Sequence, residues 1–132
     1  MSKVHEAFQT LDRYSPELVD ALVSLRRAAI PGKGDKASVL PSKYKELIMV
    51  AVEVATGRGE KGKSHSRKAI RTGATPQEVQ EALALCIYLV GISSWVDGGF
   101  ECVLAAEEEE KKMRSGKKFS WTAEAASRPK KH

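Results

Sequence analysis

The segment from residue 73 to residue 90 limits the fold more than any other part of the sequence, because it carries a complete helix-start signal. Thr75 is a hydroxyl N-cap residue, Pro76 suits the first helical position, and Glu78 stands where a capping box places its glutamate. Gly73 suits the left-handed residue that closes a preceding helix. Apolar residues then recur at helical spacing: Val79, Leu83, Cys86, Ile87 and Val90. This pattern predicts a central amphipathic helix over 76–90.

Three further segments carry weaker helix signals. Ser15 and Pro16 form a helix start, and the helix that they open should end near Pro31. Residues 65–73 give a short helix with one apolar side, and residues 93–112 give a last helix before the charged end of the chain. The intervening glycine-rich segments are predicted to be loops.

The run 43–56 is apolar nearly all round and must therefore be buried. Its valines leave a buried strand open as an alternative, since short apolar runs are not settled by periodicity alone. Glu46 and Glu53 lie seven residues apart and share one face of a helix, which favours the helical interpretation. We therefore predict an all-α fold of about six helices.

Length and composition fit one cytoplasmic domain. The chain has 132 residues, of which 42% are hydrophobic and 30% charged, enough for one modest core. No apolar run approaches the roughly 18 residues of a membrane span, and the first residues lack the apolar stretch of a secretory signal. Cys86 and Cys102 lie far apart in apolar surroundings, so we expect two buried thiols rather than a disulfide framework or a metal site.

The net charge of +5 is concentrated at the C-terminus. Residues 111–132 hold eight Lys/Arg and one acidic residue, net +7, which leaves 14 basic and 16 acidic residues, net −2, in 1–110. We therefore expect one helical domain over 1–112 followed by a basic tail over 113–132. Because the charge belongs to the tail and not to a groove, nucleic acid is not an expected partner.

The segment Gly57–Ser64 matches the phosphate-loop pattern G-x-x-x-x-G-K-[ST]. Such a loop binds phosphate only between a buried strand and a helix, because its backbone N–H groups must curl round the phosphates. Residues 47–54 could supply that strand, but the rest of a sheet is missing from the sequence. Nucleotide binding through Gly57–Ser64 is therefore kept as a second alternative.

From Tyr14 to about Ala106 the sequence resembles the carboxymuconolactone decarboxylase family, which includes alkylhydroperoxidase D. The resemblance rests on four phrases: Ser15-Pro16-Glu17-Leu18, Lys45 to Val52, His65-Ser66-Arg67-Lys68-Ala69, and Gly73 to Ala82. In that family a glutamate and a histidine nineteen residues later line a pocket between helices. Glu46 and His65 have this separation and are the implied catalytic residues.

Peroxidase members of the family place a C-x-x-C pair just before the histidine, whereas this chain has Arg58 and Lys61 at those positions. The resemblance therefore points to a cysteine-free, decarboxylase-like branch, whose Arg/Glu/Lys-rich stretch leads into the histidine. It implies that Arg58, Lys61 and Lys63 bind an anionic substrate. His65 would deliver a proton and Glu46 would fix its tautomer.

The function implied by the resemblance is that of a carboxy-lyase or isomerase acting on a small anionic lactone or related carboxylate, without metal or organic cofactor. The implied assembly is a homo-oligomer, a trimer or hexamer, with no membrane partner. A first alternative is a degenerate alkylhydroperoxidase relative, lacking the C-x-x-C pair, with an antioxidant or binding role. A structural role also stays open for each site residue: Glu46 could pair with Lys43, and the basic residues could simply solvate a loop.

Overall fold

The computed structural model describes residues 2–30 and 39–127, with side chains up to residue 116, and all regular structure in that part of the chain is helical. The six α-helices are α1 (Lys3–Tyr14), α2 (Pro16–Ala29), α3 (Ser42–Ala55), α4 (Gly59–Arg71), α5 (Pro76–Val90) and α6 (Phe100–Ser127). A π-helical turn, Trp95–Gly99, leads directly into α6. The predicted all-α class with about six helices is confirmed.

The capping box at the start of α5 forms as the sequence predicts. The Thr75 hydroxyl accepts a hydrogen bond from the N–H of Glu78 at 3.1 Å, and the Glu78 carboxylate accepts one from the N–H of Thr75 at 3.0 Å. Gly73 closes α4 with a φ of +108°, a conformation that L side chains rarely adopt. Pro16 begins α2 after Ser15, although the Ser15 hydroxyl makes no capping hydrogen bond.

α4 begins earlier than predicted, at Gly59, so most of the expected loop over 57–64 is helical. Gly57, with a φ of +80°, turns the chain between α3 and α4 within three residues. The following residues are mostly lysine, arginine, glutamate and serine, and Glu60 stands in the first turn, where a carboxylate favours the helix dipole. The predicted loop around residues 32–36 lies outside the described residues.

α6 also differs from expectation, because it continues past the predicted end at Lys112 to Ser127. Glu108 pairs with Lys112 at 3.8 Å, one helical turn later, and such pairs favour a solvated helix. Helix therefore covers part of the segment expected to be a tail. None of the helices in the described ranges combines the length and the apolar character needed to cross a bilayer.

The structure divides into two compact units, the first of which contains α1 and α2. These two helices pack against each other, and α1 is capped at its start by the Ser2 hydroxyl, which accepts the N–H of His5 at 3.2 Å. Neither helix contains a buried residue. The leucines of α2 (Leu18, Leu22 and Leu25) are 41–64% exposed.

The second unit contains α3 to α6, with α4 packed between α3 and α6 and with α5 packed against both α3 and α6. Its core is formed by small and medium apolar residues: Val50, Val54, Ala69, Ile70, Ala74, Val79, Leu83, Cys86, Cys102 and Ala106. The Ser66 hydroxyl donates to the carbonyl of Cys102 at 2.6 Å, which ties α4 to α6. α4 is thus the central helix of this unit.

Glycines allow α4 to approach its neighbours closely. A Cβ on Gly59 would lie 3.0 Å from the Cα of Gly98 in the π turn, a backbone atom that no side-chain rotation can move away. A Cβ on Gly62 would lie 3.0 Å from the sulfur of Cys102 and 3.2 Å from a methyl of Val54. The start of α4 is therefore fixed by contacts that exclude larger residues.

We expect Gly59→Ala to destabilise the protein by about 1–3 kcal/mol, as overpacking does, although alanine is the better helix former. The measurement is the free energy of unfolding from chemical denaturation. Gly116→Ala is the matched control, because a Cβ at Gly116 meets nothing within 4 Å; it should be neutral or stabilise by up to about 1 kcal/mol. Equal effects of the two substitutions would contradict the packing argument.

Candidate functional site

The seam between α3 and α4 brings Glu46 and His65 into direct contact. Nδ1 of His65 lies 2.9 Å from Oε1 of Glu46, and the two residues are nineteen positions apart in the sequence. Glu46 is 7% exposed and the His65 side chain 19%, so the contact is largely shielded from solvent. The two predicted catalytic residues thus form a hydrogen-bonded pair between antiparallel helices.

This contact assigns different tasks to the two ring nitrogens. An ionised Glu46 can only accept hydrogen bonds, so Nδ1 of His65 carries a proton and donates it to the carboxylate. Nε2 is then the nitrogen that can give or take a proton from another group. Carboxylate–imidazole pairs of this kind fix the tautomer and stabilise the imidazolium form, as general acid–base chemistry requires.

Glu46 does not pair with Lys43, the structural alternative to a role in the site. Lys43 instead contacts Glu78 of α5, with Nζ 3.0 Å from Oε2. This hydrogen bond lowers the pKa of Glu78 and raises the pKa of Lys43, and it braces α3 against α5. The carboxylate of Glu46 therefore remains directed towards α4.

The three predicted substrate-binding cations line one cleft at the start of α4. The cleft has a volume of about 420 Å³, and its other charged lining residues are Glu60, Asp97 and Glu101. Glu46 and His65 are not among its lining residues. The three cations thus share a cleft at the start of α4, and the Glu46–His65 pair lies outside the lining of that cleft.

Within this cleft the three cations are not equivalent. Nζ of Lys63 lies 3.1 Å from Oε1 of Glu60 and 3.8 Å from Oε2 of Glu101, so two carboxylates offset its charge. Arg58 and Lys61 make no salt bridge within the described ranges. Arg58 and Lys61 are therefore the two cations of this cleft whose charge is not offset by a salt bridge.

Helical spacing separates the cations in the same way. Lys61 and His65 are four residues apart and so lie on one face of α4, and Arg58, the N-cap residue, precedes Lys61 by three residues. Lys63 lies on the flank that faces α6, where Glu101 is located. An anion held by Arg58 and Lys61 would thus lie on the same helix face as the imidazole.

Neither cysteine is placed for redox catalysis. Both are free and buried, and their sulfurs donate to different backbone carbonyls: Cys86 to Ala51 at 3.3 Å and Cys102 to Gly59 at 3.8 Å. Burial raises the pKa of Cys86, and burial raises the pKa of Cys102 to about 11. The expected free, buried thiols are confirmed, and their raised pKa values favour low reactivity.

The phosphate-loop interpretation of Gly57–Ser64 is wrong. Residues 47–54 belong to α3 and not to a strand, and α4 already begins at Gly59. The backbone N–H groups after its first turn point along the helix axis to carbonyls of α4, as the hydrogen bonds of an α-helix require. They are not free to encircle a phosphate, so nucleotide binding through this segment is not supported.

Sequence reasoning missed two acidic residues of the cleft, Asp97 and Glu101. They come from the π turn and the first turn of α6, about forty residues after the cations that they face. The neighbouring pair Gly98 and Gly99 was the available signal, because both glycines are buried and Gly98 lies where the chain crosses α4. A sequence pattern does not reveal which helix such a crossing meets.

Comparison with known proteins places this geometry in a family. The family model described as the carboxymuconolactone decarboxylase family matches residues 16–98, which is more than half of the chain. This chain belongs to the carboxymuconolactone decarboxylase family. The match includes the Glu46–His65 pair, the start of α4 and the capping box of α5, so the family assignment drawn from the four phrases is confirmed.

A solved structure supports the same assignment. It is a candidate carboxymuconolactone decarboxylase from Burkholderia xenovorans LB400, 32% identical, with a TM-score of 0.75; the match covers 84% of this chain and 83% of that one. A search of curated proteins finds no match. The predicted cysteine-free branch describes only the stretch before His65, since the chain itself has Cys86 and Cys102.

The raised thiol pKa leads to a prediction about reactivity. In a Cys86→Ser variant at pH 8, iodoacetamide should alkylate native Cys102 on the order of 100-fold more slowly than the same thiol in unfolded protein. The cause is that a pKa of about 11 keeps the buried thiol protonated at that pH. The rate is followed by intact-mass spectrometry, with the variant in guanidinium chloride as control. Equal rates in the two states would contradict the assignment of an inert thiol.

Proposed function

We propose that this family member is a cofactor-independent lyase or isomerase acting on a small anionic lactone or related carboxylate. The observation that carries the proposal is the contact of 2.9 Å between His65 Nδ1 and Glu46 Oε1, on the helix face that also bears Arg58 and Lys61. This arrangement offers one nitrogen for proton transfer and two cations for an anion. Neither task needs a metal or an organic cofactor.

In the proposed decarboxylation, the substrate carboxylate is conjugated through a double bond to the lactone carbonyl. The bond to the carboxylate carbon breaks, carbon dioxide leaves, and the electron pair moves into the carbonyl to give a dienolate. The imidazolium of His65 then delivers the proton on Nε2 to a carbon of that dienolate. The imidazole regains its proton from solvent, and in the isomerase variant the same nitrogen removes one proton and returns it elsewhere.

Glu46 is the proposed positioning partner of this proton transfer. Its carboxylate accepts the Nδ1 proton and stabilises the imidazolium that must form before each protonation step. Because Glu46 is 7% exposed, water competes little for its oxygens, which strengthens the hydrogen bond to the ring. The Glu46–His65 pair therefore suits reactions whose rate depends on one protonated imidazole.

Arg58 and Lys61 are the proposed anion-binding residues. Arg58 offers a planar guanidinium that can bind a carboxylate with two hydrogen bonds, and Lys61 offers a point charge one helical turn closer to His65. Lys63 remains a predicted substrate-binding residue, with a smaller expected effect because Glu60 and Glu101 already pair with it. The positive charge available to a substrate is therefore mainly that of Arg58 and Lys61.

The peroxidase-like alternative lacks the chemistry that would favour it. A peroxidatic cysteine needs an exposed, electropositive setting that lowers its pKa, with a second thiol nearby. Burial has the opposite effect on Cys86 and Cys102. This alternative therefore reduces to a binding role. An assay of lactone turnover distinguishes a binding role from the proposed lyase activity.

The proposal predicts that His65→Ala lowers turnover of a carboxylated lactone by roughly 10²–10⁴-fold, the typical loss of a general acid. Carboxymuconolactone is the first substrate to test, followed by absorbance and by release of carbon dioxide. His5→Ala is the matched control, because His5 lies exposed on α1 and should leave the rate unchanged. Failure of the wild-type protein to turn over any lactone in a series of such acids would contradict the proposed function.

We further propose that the protein is a homo-oligomer, a trimer or hexamer. A groove of about 360 Å³ between α3 and α5 is lined by ten residues, all of them apolar. Two of these lining residues, Leu85 and Leu89, are 64% and 75% exposed, and the neighbouring Tyr88 is 84% exposed. Contiguous apolar surface of this kind usually packs against another protein surface, and a symmetric homo-oligomer is the commonest arrangement.

Replacing Leu85 and Leu89 together by glutamate should lower the oligomer size, because the charges would have to be desolvated at the interface. The measurement is sedimentation velocity at micromolar concentration. Val39→Glu is the control, since Val39 is fully exposed and does not line the groove. A monomeric wild-type protein, or a double variant that keeps its size, would contradict this assignment of the groove.

A further inference from the structure

Glu53 is a second carboxylate on the face of α3 that packs against α4. It lies two helical turns after Glu46, and residues seven apart share a helix face. Its Oε2 is enclosed by protein and has no hydrogen-bond partner among the described residues, which is true of no other buried side-chain oxygen or nitrogen there. We expect such an atom to accept a hydrogen bond from a nearby donor, because a buried acceptor left unpaired raises the free energy of the folded protein.

The surroundings of Glu53 place it at the Arg58 end of the seam. The Glu53 carbonyl accepts the N–H of Arg58 at 2.7 Å, so the two residues are joined through their backbones. A Cβ on Gly62 would lie 3.7 Å from the Cβ of Glu53, which puts the Glu53 side chain beside the first turns of α4. The unpaired carboxylate oxygen and the guanidinium that lacks a salt bridge therefore belong to neighbouring residues.

We propose that Glu53 is a positioning residue that acts through Arg58: the guanidinium, which makes no salt bridge among the described residues, turns to the Glu53 carboxylate when no ligand is bound, and a substrate carboxylate must compete with that pairing. This inference rests on the proposed anion-binding role of Arg58. The guanidinium has five N–H donors in a planar fork, enough to turn from the half-buried Glu53 to a ligand carboxylate in the open cleft.

The pairing of Lys63 shows the same principle in the same cleft. Glu60 and Glu101 hold Lys63 on the side of α6, and Glu53, which belongs to α3 and does not line the cleft, would hold Arg58 by the same kind of pairing. Competition of this kind sets a threshold for binding, since a ligand gains only the difference between its own pairing with Arg58 and that of Glu53. A weak monovalent anion would gain little, and a carboxylate able to accept two hydrogen bonds would gain most.

The first test needs no substrate and is therefore independent of the lyase activity. In the ligand-free protein, the Nε–Hε NMR signal of Arg58 is assigned through its absence in Arg58→Lys. Glu53→Gln, which keeps the side-chain shape, should shift this signal and speed its exchange with water. Glu60→Gln removes one negative charge from the neighbouring cleft and should leave the signal nearly unchanged. A signal that Glu53→Gln does not move would overturn the inference.

The second test measures competition directly, by calorimetric titration with succinate as the anion. Glu53→Gln should tighten succinate binding several-fold, more than Glu60→Gln does, and should have no effect in an Arg58→Met background. If Arg58→Met leaves succinate affinity unchanged, the anion-binding part of the proposed function fails. If Arg58→Met weakens binding but Glu53→Gln does not tighten it, or tightens it equally without Arg58, only the role of Glu53 is overturned.

Discussion

The crossing of α4 with the π turn leaves no room for a side chain, since a Cβ on Gly59 would lie 3.0 Å from the Cα of Gly98. This contact fixes where α4 begins, and the Ser66–Cys102 hydrogen bond of 2.6 Å holds the helix against α6 farther along. With α4 held in this way, His65 has one position opposite Glu46 on α3. The geometry of the proposed acid–base pair is thus a consequence of how closely the helices pack.

The same helix separates two kinds of charge. Its α3 side carries His65, and its start carries Arg58 and Lys61, which make no salt bridge in the described ranges. Its α6 side carries cations neutralised by glutamates, as Lys63 is by Glu101. Farther along that side, Arg71 donates to Glu109 at 2.9 Å and lowers the pKa of its carboxyl. Salt bridges on the α6 flank stabilise the packing of α4, and Arg58 and Lys61 at its start keep their charge for a ligand.

Local chemistry made part of this predictable from sequence. The capping box at Thr75 and the separation of Glu46 from His65 are properties of short segments and of helical spacing, and the structure reproduces both. The start of α4 at Gly59 was not predictable, because a glycine-rich segment predicts a loop, and only the tertiary contact of Gly59 with Gly98 explains why glycine is needed at a helix start. Likewise the difference between Arg58 and Lys63 depends on which residue of α6 comes near, and that is a tertiary property.

The central claim is that the Glu46–His65 pair and Arg58 together act on an anionic lactone. A crystal structure with a non-reactive carboxylated lactone analogue bound tests it most directly. The account predicts that the ligand carboxylate contacts Arg58 and that the carbon to be protonated lies about 3–3.5 Å from Nε2 of His65, as near-attack geometry requires. A ligand bound elsewhere, with Nε2 turned away from it, would contradict the account.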